Sequence, residues 1–97
     1  MIRSVCTSDG SLLDSYIGEA VFVRTVTHHY TGRLVAVADV FLRLEEAAWI
    51  ADDGRFTQAL EKGTLSEVEP YPGACLVAIG SVVDLCEWGH DLPRTQK

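Results

Sequence analysis

Between Glu19 and Trp88 the chain is a succession of short runs rich in β-branched residues, and one of them alternates without a break. Val40, Leu42 and Leu44 fall on one face, and Phe41, Arg43 and Glu45 on the other. A period of two is what a half-buried strand requires, because successive side chains leave opposite faces of the pleat. The runs Glu19–Thr27 (EAVFVRTVT) and Thr31–Ala38 (TGRLVAVA) precede it, and Cys75–Gly80 (CLVAIG) and Ser81–Trp88 (SVVDLCEW) follow. The first three have short connections and make an antiparallel meander. The last two join tightly at Gly80-Ser81. Gly32, inside the second run, predicts a bulge or sharp bend, as a closed or strongly curved sheet needs. The expected fold class is mainly β, a strongly bent antiparallel sheet of five strands.

Two segments depart from this pattern. Ser11-Leu12-Leu13-Asp14 has the spacing of a capping box and Gly18 follows it, which predicts a short helix over Ser11–Ile17. Residues 48–73 read as an insertion between the third and fourth strands. Within it Phe56, Ala59 and Leu60 fall at i, i+3 and i+4, the pair Asp52-Asp53 is placed to cap, and Gly63 is placed to end a helix over 54–62. A helix this short is not stable alone in water, so it must lie on the sheet. Residues 89–97, with Pro93, read as a polar surface extension. At 97 residues the whole is one domain.

Composition narrows the function. Hydrophobic residues at 47% against 23% charged mark a globular chain. Eight basic against fourteen acidic residues leave a net charge of −6, which argues against a sequence-independent nucleic-acid binder. No apolar run approaches the roughly 20 residues of a membrane helix, and MIRSVCTSDG lacks the apolar core of a secretory signal. Cys6, Cys75 and Cys86 are odd in number and lack C-x-x-C spacing, so reduced packing thiols in a cytoplasmic protein are expected. Glu45-Glu46 and Asp52-Asp53 are sequence neighbours that do not converge, and no nucleophile, zinc-protease or phosphate-loop motif is present. Neither an enzyme nor a cofactor nor a bound metal is expected.

Two stretches carry a family resemblance. The first is Gly32-Arg33-Leu34 with Leu42-Arg43-Leu44-Glu45-Glu46-Ala47; the second is Leu76-Val77-Ala78-Ile79-Gly80-Ser81-Val82-Val83. With the three-plus-two strand split and a short N-terminal helix, they resemble the two motifs of the Sm-like fold, the small bent barrel of LSm proteins and bacterial Hfq. The resemblance implies a homo-oligomeric ring, the fourth strand of one subunit pairing with the fifth of the next. It also implies RNA as a partner, but the family's RNA-binding residues do not carry over. Phe41 stands where RNA-binding members have Asn, Asp39 is the only nearby acid, and Ile79 stands where eukaryotic and archaeal members place Arg. The Lys-His pair of Hfq is also absent.

The candidate nucleic-acid residues are Arg24, His28, His29, Tyr30, Arg33, Asp39, Phe41 and Arg43. Against them stands a plainer reading: a polar turn at His28-His29-Tyr30, and arginines paired with Glu19, Glu45 and Glu46 across the sheet. The candidate oligomer interface is Leu76, Val77, Ile79, Val82, Val83 and Leu85, since an apolar edge without Pro or Lys calls for a partner. Trp49, Phe56, Tyr71 and Trp88 are read chiefly as packing that fixes the insertion to the barrel, with a stacking platform or partner-binding patch as the alternative. Two functions follow. One is a non-catalytic ring that binds RNA through a non-standard surface. The other is a structural or adaptor ring that binds protein, as in a phage or mobile-element assembly, and the charge favours it. A weaker third is a small metal- or ligand-binding barrel using His28 or His29.

Overall fold

The computed structural model describes residues 10–97, with side chains from Leu12 onward. Cys6 and the turn residue Asp9 lie outside the described residues. The β-rich runs form the expected meander: β1 (Ala20–Thr25), β2 (His29–Val37) and β3 (Phe41–Asp52), paired antiparallel in sequence order. β2 and β3 are long, and two bulges bend them into a barrel. Thr31 faces Ala48 and Arg33 faces Glu45, so Glu46 and Ala47 together stand opposite Gly32. Glu46 takes the left-handed conformation (φ 51°) that this extra residue demands. A Cβ on Gly32 would lie 3.0 Å from the Leu44 Cβ, so the close approach of the two strands needs glycine there. A second register shift leaves Val35 without a counterpart between the Leu34–Leu44 and Ala36–Arg43 pairs.

The far edge of β3 is shared by two strands. Its first half, Phe41–Leu44, pairs with β5 (Cys75–Ala78), and its second half, Ala48–Asp52, pairs with β4 (Glu67–Pro70). β6 (Val82–Glu87) pairs with β1 on the opposite side of the sheet. The mainly β, strongly bent antiparallel fold is as expected, with one strand more. Residues 48–52 extend β3 and do not leave the sheet, and 67–70 return along it.

The sheet buries both faces. Inside the barrel Val21, Val23, Leu34, Leu42, Leu44 and Val77 form one cluster, with Leu13 and Tyr16 packed against it. On the outer face Phe22, Ala48, Ile50, Val68 and Trp88 form a second, covered by Ala59 of α2 (Phe56–Lys62). Gly63 ends α2 with φ 74° and donates its N–H to the Ala59 carbonyl (2.9 Å). The start of α2 differs from expectation. Arg55 is its N-cap and makes no side-chain bond, while Asp52 accepts the Gly54 N–H (2.8 Å) and turns the chain after β3. The first helix, α1 (Gly10–Asp14), is shorter than expected and includes Ser11, which therefore is not its N-cap. Turns then carry the chain to Gly18, whose N–H bonds the Leu34 carbonyl (2.7 Å).

Candidate assembly edges and nucleic-acid interface

The three strand arginines are each set beside a carboxylate. Arg24 stands opposite Asp84 in the β1–β6 ladder and grips it with two hydrogen bonds, one of 2.8 Å from Nε to Oδ1. Its guanidinium also lies 4.8 Å from the centre of the Phe56 ring. The hydrogen bond from Arg24 holds the Asp84 carboxyl below the ordinary carboxylate range. Arg33 donates to Glu46 (3.2 Å) and to the Gly18 carbonyl (3.1 Å), and Arg43 lies 3.6 Å from Glu45. Arg33–Glu46 is thus a pair across the sheet as anticipated, Arg43–Glu45 lies within β3, and Arg24 takes Asp84 and not Glu19. An open cleft of about 310 Å³ beside the β4–β5 break brings Arg43 and Arg94 together with Glu45 and Glu46, so it too carries both signs.

His28 and His29 point to opposite faces, as adjacent residues entering a strand must. His28 and the Tyr30 hydroxyl are hydrogen-bonded at 2.7 Å, and the His28 ring meets Trp49 edge-on. Tyr30 lies parallel to Tyr71 with ring centres 6.4 Å apart, and burial pushes both phenols above their ordinary range. His29 is on the outer face, 3.1 Å from Asp53 and edge-on to Phe22. The aromatic residues therefore divide into two groups. Trp49 and Tyr71 join His28 and Tyr30, while Phe56 and Trp88 pack on Phe22 across the sheet. Among the described residues no three metal-ligating side chains cluster.

Asp39, Val40 and Phe41 form the exposed β2–β3 turn, and a short 3-10 turn, Ile79–Ser81, lies beside it. The Ile79 N–H donates to the Val40 carbonyl (2.8 Å), and Ser81 accepts the Val26 N–H (3.0 Å). This end of the barrel gathers apolar side chains: Val26 and Val40 are 75% and 61% exposed, and Phe41 is exposed as well. No cation stands among these turn residues.

The last feature is a pair of strand edges. In the β3–β5 ladder the Ile79–Val40 bond sets the alternation, so Cys75 and Val77 direct their backbone groups at β3 and Leu76 and Ala78 direct theirs outward. On β6 the Trp88–Ala20 bond does the same, leaving Leu85 and Glu87 outward, while Val83 falls at a register shift between Arg24 and Thr25 and has no counterpart on β1. Neither outer edge has a strand partner among the described residues. Leu76 and Val83, on these two edges, are 60% and 58% exposed. Val77, by contrast, is 3% exposed and turned into the subunit's own core, and Ile79, Val82 and Leu85 are half-buried against that core. The six interface candidates therefore split into two exposed edge residues, three intermediate ones and one core residue. Cys75 and Cys86 are free and half-buried, with burial raising both thiols' pKa, as suits packing residues. No helix among the described residues is long and apolar enough to cross a membrane.

Asp84 completes these arrangements but was not singled out in the sequence. Its signal is cross-strand register, which becomes visible only once the strands are paired.

No family model and no curated protein matches the chain. Solved structures do. The chain is similar to the P. aerophilum SmAP1 heptamer, at 25% identity and a TM-score of 0.61, over 84% of this chain and 96% of that one. It is similar also to a heptameric archaeal Sm protein, at 25% identity and a TM-score of 0.59, over 80% and 97%. The bent six-strand sheet and almost complete coverage of both relatives show that the chain has the Sm-like fold.

Proposed function

We propose that this chain is a non-catalytic subunit of a homo-oligomeric ring in which β5 of one copy pairs with β6 of the next. The observation that supports this reading is the pair of open edges, each presenting outward backbone groups beside an exposed apolar side chain, Leu76 on one and Val83 on the other. Closing the edges in a cycle satisfies those groups without building a filament. The heptameric state of both structural relatives makes seven copies the size to test first.

The ring's partner is read as protein, in a structural or adaptor role. Arg24, Arg33 and Arg43 are each engaged by a carboxylate, the turns at Asp39–Phe41 and Ile79–Ser81 hold no cation, and the chain carries −6. Phosphate neutralisation, which dominates nucleic-acid affinity, has little to work with. RNA remains a second reading on one observation: His28, Tyr30, Trp49 and Tyr71 form a half-exposed aromatic group on which bases can stack. Mass measurement in solution tests the ring, and a monomer at all concentrations sinks it. Titration with labelled poly(U), poly(A) and mixed RNA at low and moderate salt separates the partners. The protein reading expects no salt-sensitive binding at micromolar protein, and such binding, lost in Tyr30→Ala, supports the RNA reading instead.

A further inference from the structure

The segment after β6 is not a loose extension. The Trp88 indole N–H donates to the Asp91 carbonyl (3.1 Å), His90 is 2.8 Å from the Leu60 carbonyl of α2, and Leu92 packs on the outer cluster. Arg94 then forks onto two carbonyls, Ala47 and Tyr71, at 2.9 Å each. Gln96 donates to Glu69 (3.1 Å), and Lys97 exchanges both backbone hydrogen bonds with Val68, at 2.9 and 3.0 Å. That last pair is one rung of an antiparallel ladder. It lies on the outer edge of β4.

The Tyr71–Ala47 bond fixes which backbone groups of β4 face outward: those of Val68 and Pro70. Lys97 takes the groups of Val68, and Pro70 has no N–H to offer. Pro70 stands opposite Ala48 and Leu76 of β5 opposite Arg43, five residues away on the same side of β3, and Leu76 faces outward with no strand upon it among the described residues. The Arg94 fork stands where β4 gives way to β5, because its two carbonyls belong to the residues paired at that break.

We propose that Arg94–Lys97 is an edge guard: it fills the outer edge of β4 from within the same chain and confines strand addition by a second copy to β5. Without it, β4 and β5 would offer one long edge along β3, on which an incoming strand could settle in more than one register. Assemblies joined in mixed registers do not close. The inference builds on the ring reading and gives it a determinant of fidelity.

The test is the double variant Arg94→Ala/Lys97→Pro in the full chain, which removes the fork and the Lys97 N–H. Hydrogen exchange at the Val68 amide is expected to quicken by about tenfold, the equivalent of one lost hydrogen bond. Sedimentation is expected to change from one narrow species to a broad, concentration-dependent series. Faster exchange at Val68 with an unchanged single species overturns the guard, and so does a Val68 amide that already exchanges freely in the parent. If the double variant loses its β-sheet circular dichroism, Arg94→Lys is read in the same way, since it keeps the charge but not the fork. A monomeric parent would be a failure of the ring reading. The guard would then stand or fall on whether the variant self-associates where the parent does not.

Discussion

β3 has two halves with opposite surroundings. Its second half, Ala48–Asp52, has β4 along its edge, the 90–97 segment along β4, and α2 over its outer face. Its first half, Phe41–Leu44, has only β5 on that edge, and β5 ends in open backbone groups with Leu76 exposed. β4, α2 and the Arg94–Lys97 segment all lie on the covered half. The contrast separates two surroundings along a single strand: one half is covered by the chain itself, and the other leads to the open edge that the proposed ring would fill.

The covered half should be the more costly to damage. Phe22→Ala empties the centre of the outer cluster, where the ring contacts Phe56, Trp88 and His29. It is expected to lower subunit stability by about 3–5 kcal/mol in urea titration. Next comes the joint between the halves. Gly32→Val places atoms against Leu44 and the Glu45 carbonyl, and an expected loss of about 1–3 kcal/mol by the same measurement would sharpen the bulge as the hinge of the barrel. The open half should respond differently. Leu76→Lys changes an exposed side chain, so subunit stability should move by no more than about 0.5 kcal/mol while the assembled species is lost in sedimentation.

The smallest effect concerns the exposed ion pair that links β1 to the edge strand β6. The Asp84 carboxyl is held low in the folded chain, first by its hydrogen bond from Arg24 and then by the charge of that guanidinium. A depressed folded pKa gives stability that is fully present above the unfolded value of about 3.9 and lost as pH falls through the folded value. Asp84→Asn should therefore be slightly less stable than the parent at neutral pH and should converge with it in acid. Both side chains are solvent-exposed, so the difference will be near the limit of denaturant titration. A gap that widened below pH 4 would contradict the assignment.

The two halves of β3 were not equally legible in the sequence. Val40–Glu45 shows a clean period of two because only one of its faces is buried, and Gly32 announces its bulge because no other residue suits that approach. Past Glu46 the signal fades for physical reasons. The bulge shifts the phase, and both faces are then covered, so neighbours such as Ala47 and Ala48 are both fully buried and alternation disappears. Glu67–Pro70 has one apolar side chain, Val68, and a proline; it is a strand because β3 supplies an edge, not because of local propensity. The Asp52-Asp53 pair shows how a short polar motif can have several uses. It reads as a helix cap, yet one carboxylate closes a turn and the other meets His29. Pairings such as Arg24 with Asp84 lie sixty residues apart and follow from register alone. What the family resemblance supplied was the barrel itself, and it did so through the half of β3 that still alternates.

The most direct test of the account is the solution mass of the unmodified protein across a wide range of concentration. The open edges of β5 and β6 predict one species at a whole-number multiple of the 10.6 kDa subunit, seven being the first size to test, unchanged on dilution through the micromolar range. A stable 10.6 kDa monomer at every concentration, with the Leu76 and Leu85 amides exchanging freely, would contradict it.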